Sequence, residues 1–448
     1  MTTSTLTPGK KERLSQLQVV RAIAIMGVIT VHSTSYATLN MLESNYYWLY
    51  NFLNIFMKFG TPTFIALSSF VLFYNYMDRP LDRKMVSSFY KRRLLYIVIP
   101  YVLFSLFYFG LQQYLNGSQL SLHEMTANFI DKLLTGKAYT HLYFVFINMQ
   151  FYILFPLFLW LFKSSPRLAR WAIPIGLLLQ WAFVLGNKYY FQVDNRGSWS
   201  LSYFSYYMLG ATLGIYYNQL KTWLIICREH VSAARIGAWL LLWTVWLGSG
   251  LTHVYIWYEN RLYGTAYNST LFDLFYSLYA FTSVLVLLQL SFLLYRSGRS
   301  LTGRIFSRLG SFSFGIYLIH PFFLLVYRRL VPESGNSLLE HAWYAGGFLT
   351  ALLCSWLIVY LAARYLPFAW LAFGSLPKTG ATSKPTTATI SKPTSTVPTG
   401  NTSTSTSTSA TSTASNMSPA SARTTGTTGT TVQTMTKNSK PTTDTTFS

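Results

Sequence analysis

The sequence predicts an all-α, polytopic integral membrane protein with about ten transmembrane helices and a disordered C-terminal tail. Three observations carry that expectation. Of 448 residues, 51% are hydrophobic and only 11% are charged, against about 25% charged in an ordinary soluble protein. Apolar stretches of bilayer-spanning length recur along the first 366 residues. From about Pro377 the composition then turns abruptly to Thr, Ser, Pro, Lys and Gly. Three segments follow: an N-terminal piece over 1–16, a membrane part over 17–366 and a tail over 377–448.

The first span, 17–39, is LQVVRAIAIMGVITVHSTSYATL, and it carries Arg21 and His32 inside its apolar run. Ionisable groups at such positions are costly and by default mark a functional site facing protein or a water-filled cavity. Eleven residues at about 100° each return to within about 20° of three full turns, so the two side chains share one face. They lie about 16 Å apart along the axis at 1.5 Å per residue. A plainer reading is an arginine snorkelling to the interface and a histidine bonded to a neighbouring helix. Lys10, Lys11 and Arg13 before the run imitate a signal peptide. The run is too long for one, however, and has no small-residue cleavage site.

Nine further apolar stretches follow at 48–76, 94–115, 142–162, 171–185, 201–217, 236–258, 271–295, 309–330 and 342–366. The fifth and sixth spans are the shortest. With the N-terminus inside, the four inner loops hold sixteen Lys and Arg. The outer side holds seven, including Arg328 and Arg329 at the end of the ninth span. Cytoplasmic loops are the basic ones, so both termini are expected in the cytoplasm of a multi-pass cell-membrane protein. The formal charge of +22 falls in these short clusters, which is an orientation signal; a nucleic-acid partner is not expected. Cys227 and Cys354 sit in a basic loop and an apolar span, which supports neither a disulfide framework nor a metal site. The tail, as in TSTSTSTSATSTAS, has no aromatic residue until Phe447 and cannot bury enough apolar area to fold.

Within the second stretch, FGTPTFIALSSF gathers Gly60, Pro62, Ser68 and Ser69 near the cation Lys58. Such residues loosen a helix or let neighbours approach. Lys91, Arg92 and Arg93 stand directly before the third span. Three adjacent cations suit the phosphates of a nucleotide-bearing cofactor, and equally suit a topology anchor. His141 and Tyr143 open the fourth span near the outer surface, and His320 lies near the middle of the ninth, before Pro321. Asp194, His253, Glu259 and Asp273 gather toward the outside, as in a sugar-binding mouth or in ordinary outer loops.

Taken together, VVRAIAIMGVITVHS, FYKRRLLYIVIPY, THLYFV and SFGIYLIHP resemble, in order, four tracts of the acyltransferase-3 family of integral membrane O-acyltransferases. The likeness covers about residues 14–366. Tyr96 stands where members often carry a further arginine, and Tyr143 where tryptophan is usual. FGTPTFIALSSF and the third span look closest to members acting in export or O-succinylation of a poly-N-acetylglucosamine exopolysaccharide. The resemblance implies transfer of an acetyl or succinyl group from cytoplasmic acyl-coenzyme A to a hydroxyl of a cell-surface or lipid-linked glycan. No tightly bound cofactor or metal is expected, and a polysaccharide synthase is a possible partner. His32, an imidazole that titrates near neutral pH, is the candidate base or acyl carrier. Arg21 would bind donor phosphate or polarise the thioester carbonyl, and Arg92, Arg93 and Lys91 would hold the nucleotide end. His320 and His141 are second-rank catalytic or acceptor candidates. The rival reading is an exopolysaccharide exporter or flippase in which Arg21 and His32 line a path without covalent chemistry.

Overall fold

The structure, a computed structural model, describes residues 11, 14–117, 120–226, 231–295, 300–329 and 337–377. Cys227 and the tail from Lys378 onward lie outside that description. Among the described residues every regular element is helical.

Helix α1 (Gln16–Thr34) continues into α2 (Ala37–Asn40), and α3 (Tyr47–Phe56) meets α4 (Gly60–Tyr76) through one tight turn, Met57–Phe59. Helix α5 (Arg83–Arg93) passes through a π-helical turn, Leu94–Val98, into α6 (Ile99–Leu115). Then come α7 (Leu122–Thr135), α8 (Tyr143–Ser164), α9 (Pro166–Arg170), α10 (Ala172–Gly186), α11 (Phe204–Ile215) and α12 (Tyr217–Leu224). The described chain ends with α13 (Ala233–Tyr263), α14 (Ser269–Leu294), α15 (Leu301–Ser311), α16 (Ser313–Tyr327), α17 (Ser337–Tyr365) and α18 (Ala369–Phe373).

Among the described residues seven helical segments are long and apolar enough to cross a bilayer, and α15 with α16 would make an eighth. The expected fifth and sixth spans are helical but short. At 15 and 12 residues, α10 and α11 reach only about 22 and 18 Å, against a hydrocarbon core of about 30 Å. The expected ninth span is broken, because the chain bends by 75° between α15 and α16. Between 115 and 142, where the sequence suggests a loop, lies α7. Ser121 and Glu124 close a capping box at its start, satisfying two free N-terminal donors.

Helix α1 is the axis of the molecule and packs against α3, α4, α14, α15, α16 and α17. Two glycine contacts fix the packing around it. A Cβ on Gly310 would fall onto the Gln18 carbonyl, so α15 crosses α1 backbone to backbone. In α11, Gly210 and Gly214 bring the helix onto the Ala66 and Phe70 carbonyls of α4, a small-residue interface of the membrane type. Ser69 Oγ donates to the Tyr207 carbonyl at 2.6 Å across the same contact. The π turn before Pro100 accommodates the N–H that proline lacks. It also sets Tyr96 and Ile97 into the wall of a cavity.

Candidate active site

Arginines from three parts of the chain line one cavity of about 480 Å³. Arg21 comes from α1, Arg79 from the turn after α4, and Arg92 and Arg93 from the end of α5. Polar groups of α4 and α8 complete the wall, among them Ser68, Asn75, Asn148 and Tyr152. Arg92 donates to Ser88 Oγ at 3.1 Å and to the Tyr76 hydroxyl at 3.3 Å. Arg93 lies over the rings of Tyr152 (4.7 Å) and Phe89 (5.3 Å), and its buried Nε has no partner. Arg21 makes only a long contact of 3.4 Å to Gln18 Oε1. Among the described residues the ion pairs are Lys11–Asp78 and Arg196–Asp273, so no carboxylate neutralises these four guanidiniums. Arg79 and Arg92 are exposed, whereas Arg21 and Arg93 are partly buried, where an unpaired charge is costly until an anion meets it. The arrangement is built for an anion of several charges, and planar guanidinium forks match phosphate oxygens. Lys91, expected with its neighbours, is exposed and does not line the cavity.

Beyond the cavity's inner end, three histidines far apart in sequence converge. The His32 and His320 ring centres are 5.3 Å apart, and those of His141 and His320 5.6 Å. His141 and His320 are both fully buried. The turn ahead of α8 folds His141 inward, where Tyr317 donates to its carbonyl. His320 Nδ1 lies 2.8 Å from the Tyr317 carbonyl, and His141 Nε2 lies 3.2 Å from the Leu318 carbonyl. A carbonyl can only accept, so both nitrogens carry the proton and the other ring nitrogens present lone pairs. Those lone pairs, on His320 Nε2 and His141 Nδ1, are buried and unpartnered. Leaving such an acceptor unmet costs about 1–3 kcal/mol, a cost that a bound hydroxyl or a donating imidazole removes.

Tyr317 connects the two regions. It lines the arginine cavity, and its ring packs on His141 at 5.2 Å and on His320 at 5.9 Å. Phe144 and Phe64 continue the aromatic wall, with ring centres 5.1 Å from Tyr317 and 5.7 Å from Phe144 respectively.

The sequence reading passed over Arg328, just beyond α16. Its guanidinium donates to the His32 carbonyl at 2.5 Å and to Ser35 Oγ at 3.2 Å, and lies 3.8 Å from the Tyr36 ring centre. Its place beside Arg329 at the end of a span looked like an orientation signal. A neighbouring polar group approaches α1 from another side. Arg261 donates to Asn51 and Asn54, and Asn54 donates to the Val31 carbonyl. Lys58 stacks over Trp257 at 5.3 Å. Asp273 is paired with Arg196 and Asp194 is exposed, while His253 is buried against Tyr276.

Residues 14–360 match the model of a family described as an acyltransferase domain. A Staphylococcus aureus protein named "Probable poly-beta-1,6-N-acetyl-D-glucosamine export protein" is 27% identical over 332 residues, covering 70% of this chain and 83% of its own. A Staphylococcus epidermidis protein of the same name is 27% identical over 333 residues, covering 70% of this chain and 82% of its own. No solved structure matches.

Proposed function

The chain belongs to the acyltransferase-3 family, whose model it matches from residue 14 to 360, and on that premise we propose that it moves an acyl group from acyl-coenzyme A to a hydroxyl of a polysaccharide. The observation that carries the proposal is the arginine cavity, whose inner wall, Tyr317, is also the packing surface of the histidine cluster. Arg21, Arg79, Arg92 and Arg93 take the phosphates of coenzyme A. The pantetheine arm then leads the thioester toward His32, about 16 Å further along α1.

There His32 accepts the proton of the attacking hydroxyl as the new carbon–oxygen bond forms. The carbon–sulfur bond breaks, and His32 returns the proton to the departing thiolate. His320, whose ring centre lies 5.3 Å from that of His32, packs against the imidazole and restricts how it can turn. The basic inner loops put the arginine cavity at the cytoplasmic face, with both termini on that side. With α15 and α16 crossing as one bent span, the total among the described residues is eight, or ten with the short pair α10 and α11, and both totals return the C-terminus to the side of the N-terminus.

The relatives' printed name favours a second reading, in which the chain exports a polysaccharide without acyl transfer. A transport path would be polar and continuous across the membrane. The aromatic surface of Phe64, Phe144 and Tyr317 at the cavity wall offers no polar path and suits the less polar thioester arm of the donor, which supports the enzyme instead. The test is purified protein incubated with labelled acyl-coenzyme A and a β-1,6-linked N-acetylglucosamine oligomer. Alkali-labile label on the oligomer is expected. An unlabelled oligomer, with acetyl- and succinyl-coenzyme A both tried, would overturn the proposal.

A further inference from the structure

A second cavity, of about 510 Å³, opens at the other end of α1. Fifteen residues separate Arg21 from Tyr36, about 22 Å along the axis, so the two cavities are distinct. His32 lies one helical turn before Tyr36. We infer that this second cavity is a pyranose-binding subsite that presents the acceptor glycan to His32. The inference rests on the acyl-transfer reading for the word acceptor, whereas the sugar-binding chemistry stands on the lining residues themselves.

Three aromatic rings, Tyr36, Trp343 and Tyr344, line the cavity together with the amide of Asn40, the carboxylate of Glu340 and the guanidinium of Arg328. Tyr344 is buried, braced by Tyr50 at 5.0 Å and by Trp343 at 4.9 Å, edge to face. Trp343 is partly exposed and Tyr36 is 45% exposed. Rigid aromatic surface with a few convergent polar groups is the general make-up of a small-molecule site. A pyranose has an apolar C–H face and a rim of hydroxyls, and both halves of this lining match it.

Glu340 narrows the chemistry. It is partly buried and forms no ion pair with Arg328 or Arg329, although both line the same cavity. A carboxylate accepts hydrogen bonds from hydroxyl or amide N–H groups, which a neutral or amino sugar supplies and a phosphate does not. Arg328 is already engaged with the His32 carbonyl, Ser35 and Tyr36. It therefore ties the cavity wall to the backbone of the proposed base, and its donors are largely taken up there.

The test measures binding, not turnover. Full-length protein in detergent is titrated with a β-1,6-linked N-acetylglucosamine pentamer by calorimetry, and separately with coenzyme A. Wild type is expected to bind both. Trp343→Ala and the isosteric Glu340→Gln are each expected to weaken the pentamer at least tenfold and to leave coenzyme A affinity within twofold. Pentamer binding unchanged in both variants, or no binding to wild type at 10 mM, would overturn the subsite. Failure of coenzyme A to bind wild type would instead overturn the donor cavity, with the pentamer result still deciding the subsite.

Discussion

If Arg92 and Arg93 hold the nucleotide end of coenzyme A, replacing both with glutamine removes two guanidiniums while keeping polar, uncharged side chains. The structure gives them unequal weight. Arg93 is half-buried with an unpartnered Nε, so a charge-assisted contact there is worth about 1.5–3 kcal/mol. Arg92 is exposed and already shared with Ser88 and Tyr76, where screening leaves about 0.2–1 kcal/mol. A total of about 2–4 kcal/mol, at about 1.4 kcal/mol per decade, raises the apparent constant for acyl-coenzyme A between about thirtyfold and several hundredfold. Turnover should fall less, because binding common to ground and transition states is what is lost. Lys91→Gln is the control, since Lys91 is exposed and outside the cavity wall. It should shift the constant less than twofold. The assay is initial-rate kinetics in reconstituted vesicles, with insertion checked in each variant because inner charges also set topology. A correctly inserted double variant with an unchanged constant would refute the donor assignment and leave the basic run as an anchor.

Three further outcomes follow from the same geometry. His32→Ala should cut transfer by about 10²–10⁴, the usual worth of general acid–base catalysis, with coenzyme A affinity intact; calorimetry and rate measurement together check this. Gly210→Ala should destabilise the α4–α11 contact by about 1–3 kcal/mol through overpacking, because its new Cβ falls on the Ala66 carbonyl. A lowered thermal midpoint in detergent is the readout, and an unchanged one would mean that the contact gives way freely. Single cysteines placed before Gln16 and after Pro377 should both resist an impermeant thiol reagent in intact cells. Labelling of either would reverse the expected orientation.

Much of the arginine cavity was legible in the sequence, since it depends on local periodicity. Arg21 and His32 share a helical face because of their spacing, and the run ending in Arg93 adjoins an apolar span. The histidine cluster was not legible as a cluster. His32, His141 and His320 meet only through tertiary packing, and His141 turns inward on the Tyr317 hydroxyl, which no local pattern encodes. Arg328 was hidden because an arginine at a span's end also serves orientation. The bend at Phe312 lies two residues after the close crossing of Gly310 on α1 and has no proline beside it to announce it. One signal was present and unread: Gly210 and Gly214 in GATLG stand four apart in an apolar helix, the spacing of a close helix pair.

The central claim is that a donor bound among the arginines on one side of the membrane reacts at His32 with a glycan reaching it from the other. Vesicles holding the protein in one orientation, with its termini outward, test this directly when the N-acetylglucosamine pentamer is sealed inside and labelled acyl-coenzyme A is added outside. The account predicts esterified pentamer inside the vesicles, and none with His32→Ala. Pentamer appearing outside without label, or esterified only when donor and pentamer share a compartment, would contradict it.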